Sequence, residues 1–442
     1  MNAIVHPSRR VMGAVSVPGD KSVSHRAALL GAVATGVTEV HGWLEAEDCL
    51  ATLRAVSALG GDATRKGPGH YVIHGAGLTG LGEPENVIDC GNSGTTARLL
   101  SGILAGQPFA AILTGDDSLR RRPMERVLEP LARMGARFIA RGGRAGGRRL
   151  PLAIQGSRPL VPIRHAPSVA SAQVKSAILL AGLWASGPVT VEEPAQSRDH
   201  TERMLAAFGA DVVVDGRTVT LVPGREPTGR AVRVPGDISS AAFFLVAGLL
   251  ADVGAVTVKG VGVNPTRTGV LDILRAMGAD LEVGAIQGDS EPIADLAAKA
   301  GDLRGTSIAG SLVPRAIDEL PILAVAAARA EGVTEVRDAA ELRVKESDRI
   351  RSLTAELTKL GVGIEERPDG FRITGSGRRP FRAARVRSWG DHRLAMALIV
   401  AGLAADGPSV VEDIDCIATS YPDFIATCRC LAGEACVEVG GP

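Results

Sequence analysis

Aromatic side chains are scarce in this chain: Phe, Trp and Tyr together make up 3% of its 442 residues. That scarcity excludes the stacked aromatic platform on which single-stranded nucleic acid is held. An excess of either charge is also missing. Lys and Arg number 49, and so do Asp and Glu. No global field therefore draws nucleic acid or an acidic membrane, and any anion site must be local. The six cysteines, Cys49, Cys90, Cys416, Cys428, Cys430 and Cys436, show neither the paired CxxC spacing of a zinc site nor a small disulfide framework. They read as buried, reduced thiols of a cytoplasmic protein. The opening MNAIVHPSRRV has no apolar signal core. The longest apolar run, Ala241–Ala251, stops at Asp252 and is too short to span a bilayer. What remains is a chain too long for one ordinary core, with 45% apolar residues to fill two.

Against these absences stands repetition. The stretch VSVPGDKSVSHRAALLGAVA (15–34) reads as a strand, a sharp Pro18-Gly19 turn and a helix. It returns as VRVPGDISSAAFFLVAGLLA (232–251), displaced by about half the chain, which marks an internal duplication. Beneath it runs a finer repeat. Amphipathic helical patterns end on Gly60, Gly135, Gly209, Gly278 and Gly361, with a weaker sixth copy in CRCLAGEACVEV. A glycine just past a helix takes the left-handed position without steric cost. Each repeat also holds a second helix that is apolar nearly all round, and so is buried. Short strands follow, and Asp215-Gly216 marks a hairpin. Six βαβαββ units result, three to a domain, with sheets wrapped around apolar helices. The domain boundary falls near residues 230–235, just before the second VPGD, and the first strand is expected to pack with the C-terminal half.

A scaffold explains the apolar residues and the glycines. It does not explain charged and polar residues at the starts of buried helices, where desolvation costs most. Lys21, Ser22 and Arg26 stand at one such start, and Ser22 and Arg26 share a helix face. GNSGTTAR offers Asn92, Ser93, Gly94, Thr95 and Arg98; SVASAQVK offers Ser171, Gln173 and Lys175. AIDELP offers Asp318 and Glu319, and WGDHR offers Asp391, His392 and Arg393. LRVKESDR is expected to open an amphipathic helix, with Lys345 and Arg349 on one face and Glu346 three before Arg349. SLRRRPMER adds Arg120, Arg121 and Arg122 before Pro123, a first-turn candidate. Singly, each has an ordinary explanation: Ser93 or Asp391 as caps, KESDR as a solvated charge run, RRR as a surface loop like RGGRAGGRR (141–149). Recurrence at the same ends of repeated units favours one anion-binding cleft.

These motifs, GDKSVSHR, GNSGTTAR, RRRP, SAQVKSA, RDHTE, NPTR, LRVKESDR, GDHR and SYPDF, closely resemble the 5-enolpyruvylshikimate-3-phosphate synthase family over essentially the whole chain, and its second class in particular. The resemblance implies a two-domain inside-out α/β barrel of six βαβαββ repeats, residues 21–233 forming one domain and 1–20 with 234–442 the other. It implies transfer of the enolpyruvyl group of phosphoenolpyruvate to the 5-hydroxyl of shikimate 3-phosphate, by a cytoplasmic monomer, with no cofactor and no metal. Glyphosate is the implied inhibitor. Carried over by position, Lys21, Ser22, Arg26, Ser171, the backbone of Ala172, Gln173, Asp318 and Lys345 would bind shikimate 3-phosphate. Lys21, Asn92, Gly94, Arg122, Gln173, Arg349 and Arg393 would bind phosphoenolpyruvate. Asp318 would be the base at the hydroxyl, Glu346 would handle the carbon-bound proton and Lys21 would assist.

The chain departs from the family pattern at Thr419, where some relatives have lysine, at Ala172 and Glu341, where others have Ser and Asn, and at Leu99, where many have proline. Two rival readings remain. The UDP-N-acetylglucosamine enolpyruvyl transferases share fold and donor but carry a reactive cysteine in the loop that here reads TGDDSLRRRP. A non-catalytic phosphometabolite sensor would have no need of both Asp318 and Glu346. Because site residues fall in both halves, domain closure on binding is expected.

Overall fold

In the computed structural model, which describes residues 1–142, 147–288 and 290–441, the chain divides into two compact units. A continuous unit spans Gly19–Val234; a split unit joins Met1–Pro18 to Pro235–Pro442. The division falls at the two copies of VPGD.

Three helices form the centre of each unit. In the split unit, Ile238–Leu250, Leu320–Ala328 and His392–Leu403 are buried along their whole length. In the continuous unit, Lys21–Val33, Gly94–Ala105 and Ala172–Gly182 are buried except for residues in the first turn or just beyond it. Such helices have no solvent face to carry polar residues, so their composition is apolar all round and their ends take the polar load. Asp20, Ser93, Asp237 and Asp391 each accept a backbone N–H of the first turn and start four of the six. The close approach of two central helices is set by Gly102, where a Cβ would lie 2.2 Å from the carbonyl oxygen of Ala177.

Around these helices lie six four-stranded sheets among the described residues, all of one design. In each, the first strand runs parallel to the second, and the remaining pairs are antiparallel. Ile88–Asp89 beside Ala110–Thr114, then Arg148–Gln155 and Arg137–Gly142, is one example. Two sheets exchange strands across the duplication. Arg10–Ser16, which precedes the first VPGD, pairs with Val253–Gly262 in the split unit. Ala231–Arg233, which precedes the second, pairs with Thr35–His41 in the continuous unit. Asn2–Val5 lies between Ser409–Glu412 and Val437–Gly440, so the N-terminal strands do belong with the C-terminal half.

The glycines expected to end the amphipathic helices are left-handed as anticipated: Gly60, Gly135, Gly209, Gly278, Gly361 and, in the weak sixth copy, Gly433 all have φ between 81° and 111°. Asp215-Gly216 turns a hairpin between Asp211–Asp215 and Thr218–Val222. Three local expectations are corrected. Pro123 does not open a helix: Met124 caps Glu125–Arg133, because the preceding 3-10 turn, Leu119–Arg121, holds the chain extended at Arg122. The stretch 141–149 is not wholly a loop. Strand Arg137–Gly142 runs into it and strand Arg148–Gln155 leaves it, while 143–146 lie outside the described residues. The cysteines are all reduced thiols, but only Cys49, Cys90, Cys428 and Cys436 are buried; Cys416 is partly buried, and Cys430 is exposed because it lies on the outer side of Phe424–Ala432. No helix among the described residues is long and apolar enough to cross a membrane.

Candidate active site

The predicted residues come together as two sets, one in each unit. In the continuous unit the first set is built on three helix starts. Lys21 lies in the first turn of Lys21–Val33, where its Nζ donates to Asp48 Oδ2 at 2.9 Å. One turn on, Arg26 is 3% exposed. Its Nη1 donates to the carbonyl oxygen of Ser22 (2.8 Å), its Nε to Thr201 Oγ1 (2.6 Å) and its Nη2 to Ser176 Oγ (2.7 Å). Neighbouring His25 is fully buried. Burial, reinforced by Lys21 and Arg26, holds it well below the ordinary imidazole value. It therefore stays neutral, its Nδ1 2.6 Å from Thr52 Oγ1, which in turn lies 2.7 Å from Thr96 Oγ1. This chain of hydroxyls ties the Lys21–Val33 helix to the Gly94–Ala105 helix.

At the start of Gly94–Ala105, Arg122 Nη2 donates to Asn92 Oδ1 at 2.8 Å, and Asn92 Nδ2 to Asp116 Oδ2 at 2.6 Å. Arg98 Nη1 donates to Gln173 Oε1 at 2.8 Å, and Gln173 Nε2 to Thr95 Oγ1 at 3.0 Å. Gly94 is the floor of this group. A Cβ there would stand 2.7 Å from Arg98 Nη1 and 3.2 Å from Arg122 Nη1. Ser171 precedes Ala172–Gly182 without bonding its first-turn amides through its side chain, and Ala172 offers only its backbone.

The second set belongs to the split unit and centres on Arg349, 1% exposed. Its Nε and Nη2 fork onto Asp391, at 2.7 and 3.2 Å; Nη2 also reaches Glu346 at 2.7 Å and Nη1 reaches Asp318 at 3.3 Å. Burial works against its charge, but Asp391, Glu346 and Asp318 outweigh it and raise its pKa. Asp391 does two jobs, since Oδ1 also caps His392–Leu403 through the amides of Arg393 and Leu394. Asp318 stands among three cations: Arg349, Lys345 Nζ at 3.8 Å and Arg393 Nη2 at 3.8 Å. Burial lowers the pKa of Lys345; Asp318 pulls the other way, and Arg349 adds to the depression.

Two expectations fail here. Lys345 and Glu346 are not on a helix. Asp348 accepts the amide of Arg351 and starts the helix only at Arg349, leaving LRVKE as a 3-10 turn and a loop. Freed from helical spacing, both side chains still turn toward Asp318 and Arg349. Lys175, grouped with the cationic pieces, is not presented to a ligand. It is 2% exposed and clasped by Glu193 Oε2 at 2.6 Å and Glu202 Oε1 at 2.7 Å. Those partners lie 18 and 27 residues on, beyond any local pattern. The RDHTE motif held the missing residue. Thr201, beside Glu202, bonds Ser176 Oγ, beside Lys175, at 2.6 Å, and both hydroxyls carry Arg26. Lys175, Glu193 and Glu202 instead border a cavity of about 320 Å³, together with Arg203, Val212 and Arg217.

A family model described as EPSP synthase (3-phosphoshikimate 1-carboxyvinyltransferase) matches residues 5–428. The 3-phosphoshikimate 1-carboxyvinyltransferase of Geobacter sp. (strain M21) is 53% identical over 425 residues, 96% of this chain and 97% of that protein. That of Geobacter sulfurreducens is 54% identical over 422 residues, 95% and 97% of the two chains. Among solved structures, EPSP synthase from Acinetobacter baumannii superposes with a TM-score of 0.88 at 45% identity, covering all of both chains.

The Lys175 cluster yields a prediction. Lys175→Met leaves two carboxylates buried without their cation, which costs about 3–5 kcal/mol when one partner of a buried pair is removed. Because a buried carboxyl takes up a proton to relieve that cost, the deficit should be largest above neutral pH and shrink as pH falls toward about 5. Denaturant midpoints of parent and variant across that range measure it; a pH-independent deficit would show that the two glutamates are not the cause.

Proposed function

The chain belongs to the EPSP synthase (3-phosphoshikimate 1-carboxyvinyltransferase) family, and we propose that it carries out that family's reaction with the two sets of residues described above. The enolpyruvyl group of phosphoenolpyruvate passes to the 5-hydroxyl of shikimate 3-phosphate and inorganic phosphate is released. We take residues 21–233 and 1–20 with 234–442 as its two domains, a reading supported by the compact units, and the enzyme as a cytoplasmic monomer.

The reaction joins two phosphorylated anions, so it needs cations held in place before they arrive. Arg26, Ser22, Ser171, Gln173 and the amide of Ala172, with Lys345, serve shikimate 3-phosphate. Lys21, Asn92, Gly94, Arg122, Gln173, Arg349 and Arg393 serve phosphoenolpyruvate. The guanidinium fork suits both carboxylate and phosphate, because it donates two parallel bonds. In the first step the 5-hydroxyl oxygen bonds to C2 of phosphoenolpyruvate while the methylene carbon takes a proton and becomes a methyl. In the second, that methyl gives up a proton as the C2–O bond to phosphate breaks. Asp318 accepts the hydroxyl proton. Glu346 handles the carbon-bound proton, and Lys21 assists.

The observation that carries this reading is Asp318 within 3.3–3.8 Å of Arg349, Lys345 and Arg393. A carboxylate there can hold these cations in place, as Asp391 does for Arg349, and can also accept the proton of a hydroxyl brought beside it. Phosphate release from phosphoenolpyruvate should therefore depend on shikimate 3-phosphate and should not occur with UDP-N-acetylglucosamine as acceptor. Asp318→Asn preserves shape and removes the proton acceptor. It is expected to lower kcat by about 10²–10⁴-fold, the usual share of general base catalysis, with KM for both substrates largely retained. Near-normal kcat would remove Asp318 from the role.

Glyphosate is proposed to occupy the phosphoenolpyruvate position beside Gly94. An alanine methyl at 94 displaces the flexible guanidinium ends of Arg98 and Arg122 rather than backbone, so the variant should fold with those two side chains shifted at the proposed pocket. Gly94→Ala should weaken glyphosate inhibition by more than it raises KM for phosphoenolpyruvate. Parallel inhibition and steady-state assays decide it. A parent that is already insensitive, or an equal loss of substrate and inhibitor, contradicts the reading.

A further inference from the structure

We propose that the outer face of the Thr35–His41 sheet carries a binding site for one divalent transition-metal ion, held by Glu39, His41 and His70. Nothing in the transfer reaction uses these residues. Strands Thr35–His41 and His70–Ala76 are antiparallel with His41 directly opposite His70. Glu39 is two residues before His41, so all three side chains leave the same face of the pleat. Their ligand atoms all lie within 4.8 Å of one another.

The geometry is that of a set of ligands rather than a chance charge cluster. The two imidazole rings stack, with centroids 4.3 Å apart and planes 25° from parallel. Both Nε2 atoms reach one oxygen, Glu39 Oε1, at 3.3 Å from His41 and 2.9 Å from His70. In a tetrahedral site with bonds of about 2.0–2.1 Å, neighbouring ligand atoms stand roughly 3.3–3.4 Å apart. Small turns of the side chains admit the ion. The three side chains are 31–52% exposed, so water supplies the remaining position.

Ligand chemistry selects the ion. Two imidazoles and one carboxylate suit zinc, nickel or copper; calcium and magnesium take oxygen ligands in larger number. The parallel register places Arg233 beside His41 on the same face, and Ala231 and Val72 beside Glu39. Arg233 therefore opposes a cation, which further disfavours weakly held hard ions. The bound ion would staple two strands where the chain leaves the unit, since the amide of Val234 donates to the carbonyl oxygen of His41 at 2.8 Å.

Equilibrium dialysis of the full chain against zinc, and separately nickel, tests this with the metal alone. The expected result is one ion per chain, bound at least about tenfold more weakly in His41→Ala and in His70→Ala, and more tightly in Arg233→Ala. Excess calcium or magnesium should not compete, and enolpyruvyl transfer should be unchanged in the histidine variants. Failure of the parent to bind one ion overturns the proposal. So does undiminished binding in both histidine variants, or loss of binding in Cys430→Ser, which would assign the ion to the exposed thiol.

Discussion

A helix buried on every side has only its ends to offer water or a ligand. That constraint organises this molecule. Six central helices are too apolar to carry function along their length, and their first turns hold backbone amides that need partners. Aspartates and a serine satisfy some of these amides. Residues at or beside these helix starts, Lys21, Asn92, Gln173, Asp318 and Arg393, are the ones proposed for chemistry. The same constraint accounts for the scarcity of charge elsewhere on these helices and for the repeated sheets that cover them.

Placing cations at such starts creates a second problem, because an arginine or lysine out of water is costly without a partner. Each unit solves it internally, in different ways. In the split unit Arg349 is forked onto Asp391, the same carboxylate that starts the next helix, so helix geometry and guanidinium orientation are fixed together. In the continuous unit Arg26 donates to two hydroxyls, Thr201 and Ser176, which bond each other and stand next in sequence to the paired Glu202 and Lys175. Neutral acceptors, these two hydroxyls and the carbonyl oxygen of Ser22, hold the Arg26 guanidinium in position. The duplicated start in the split unit has taken another course. Ser239 donates to Glu319, and Arg267 lies against Asp237 and Ser239; there the position has become an internal ion cluster.

Much of this was legible in the sequence because it is local. The left-handed glycines after the amphipathic helices, the Asp and Ser caps and the VPGD duplication are each set by a handful of adjacent residues. They led to six βαβαββ repeats and to a first strand expected to pack with the C-terminal half. The misreadings have one cause, which is that partners distant in sequence decide the outcome. Lys175 looked like its cationic neighbours until Glu193 and Glu202 closed on it. Lys345 and Glu346 looked helical by spacing, yet Asp348 caps three residues later and leaves them in a loop. Thr201 lay inside a motif that was recognised, but only the fold reveals that its hydroxyl carries Arg26.

The central claim is preorganisation: the guanidinium groups proposed to meet the anions are held in place by the protein before any substrate is present. Side-chain NMR of the arginine Nε–H groups in the substrate-free enzyme addresses it directly. Arg26 and Arg349, bonded as described, should give ordered Nε–H signals that exchange slowly with water, and shikimate 3-phosphate should alter their mobility little. Guanidinium groups that rotate freely and exchange fast in the free enzyme, becoming ordered only when substrate is added, would contradict the account.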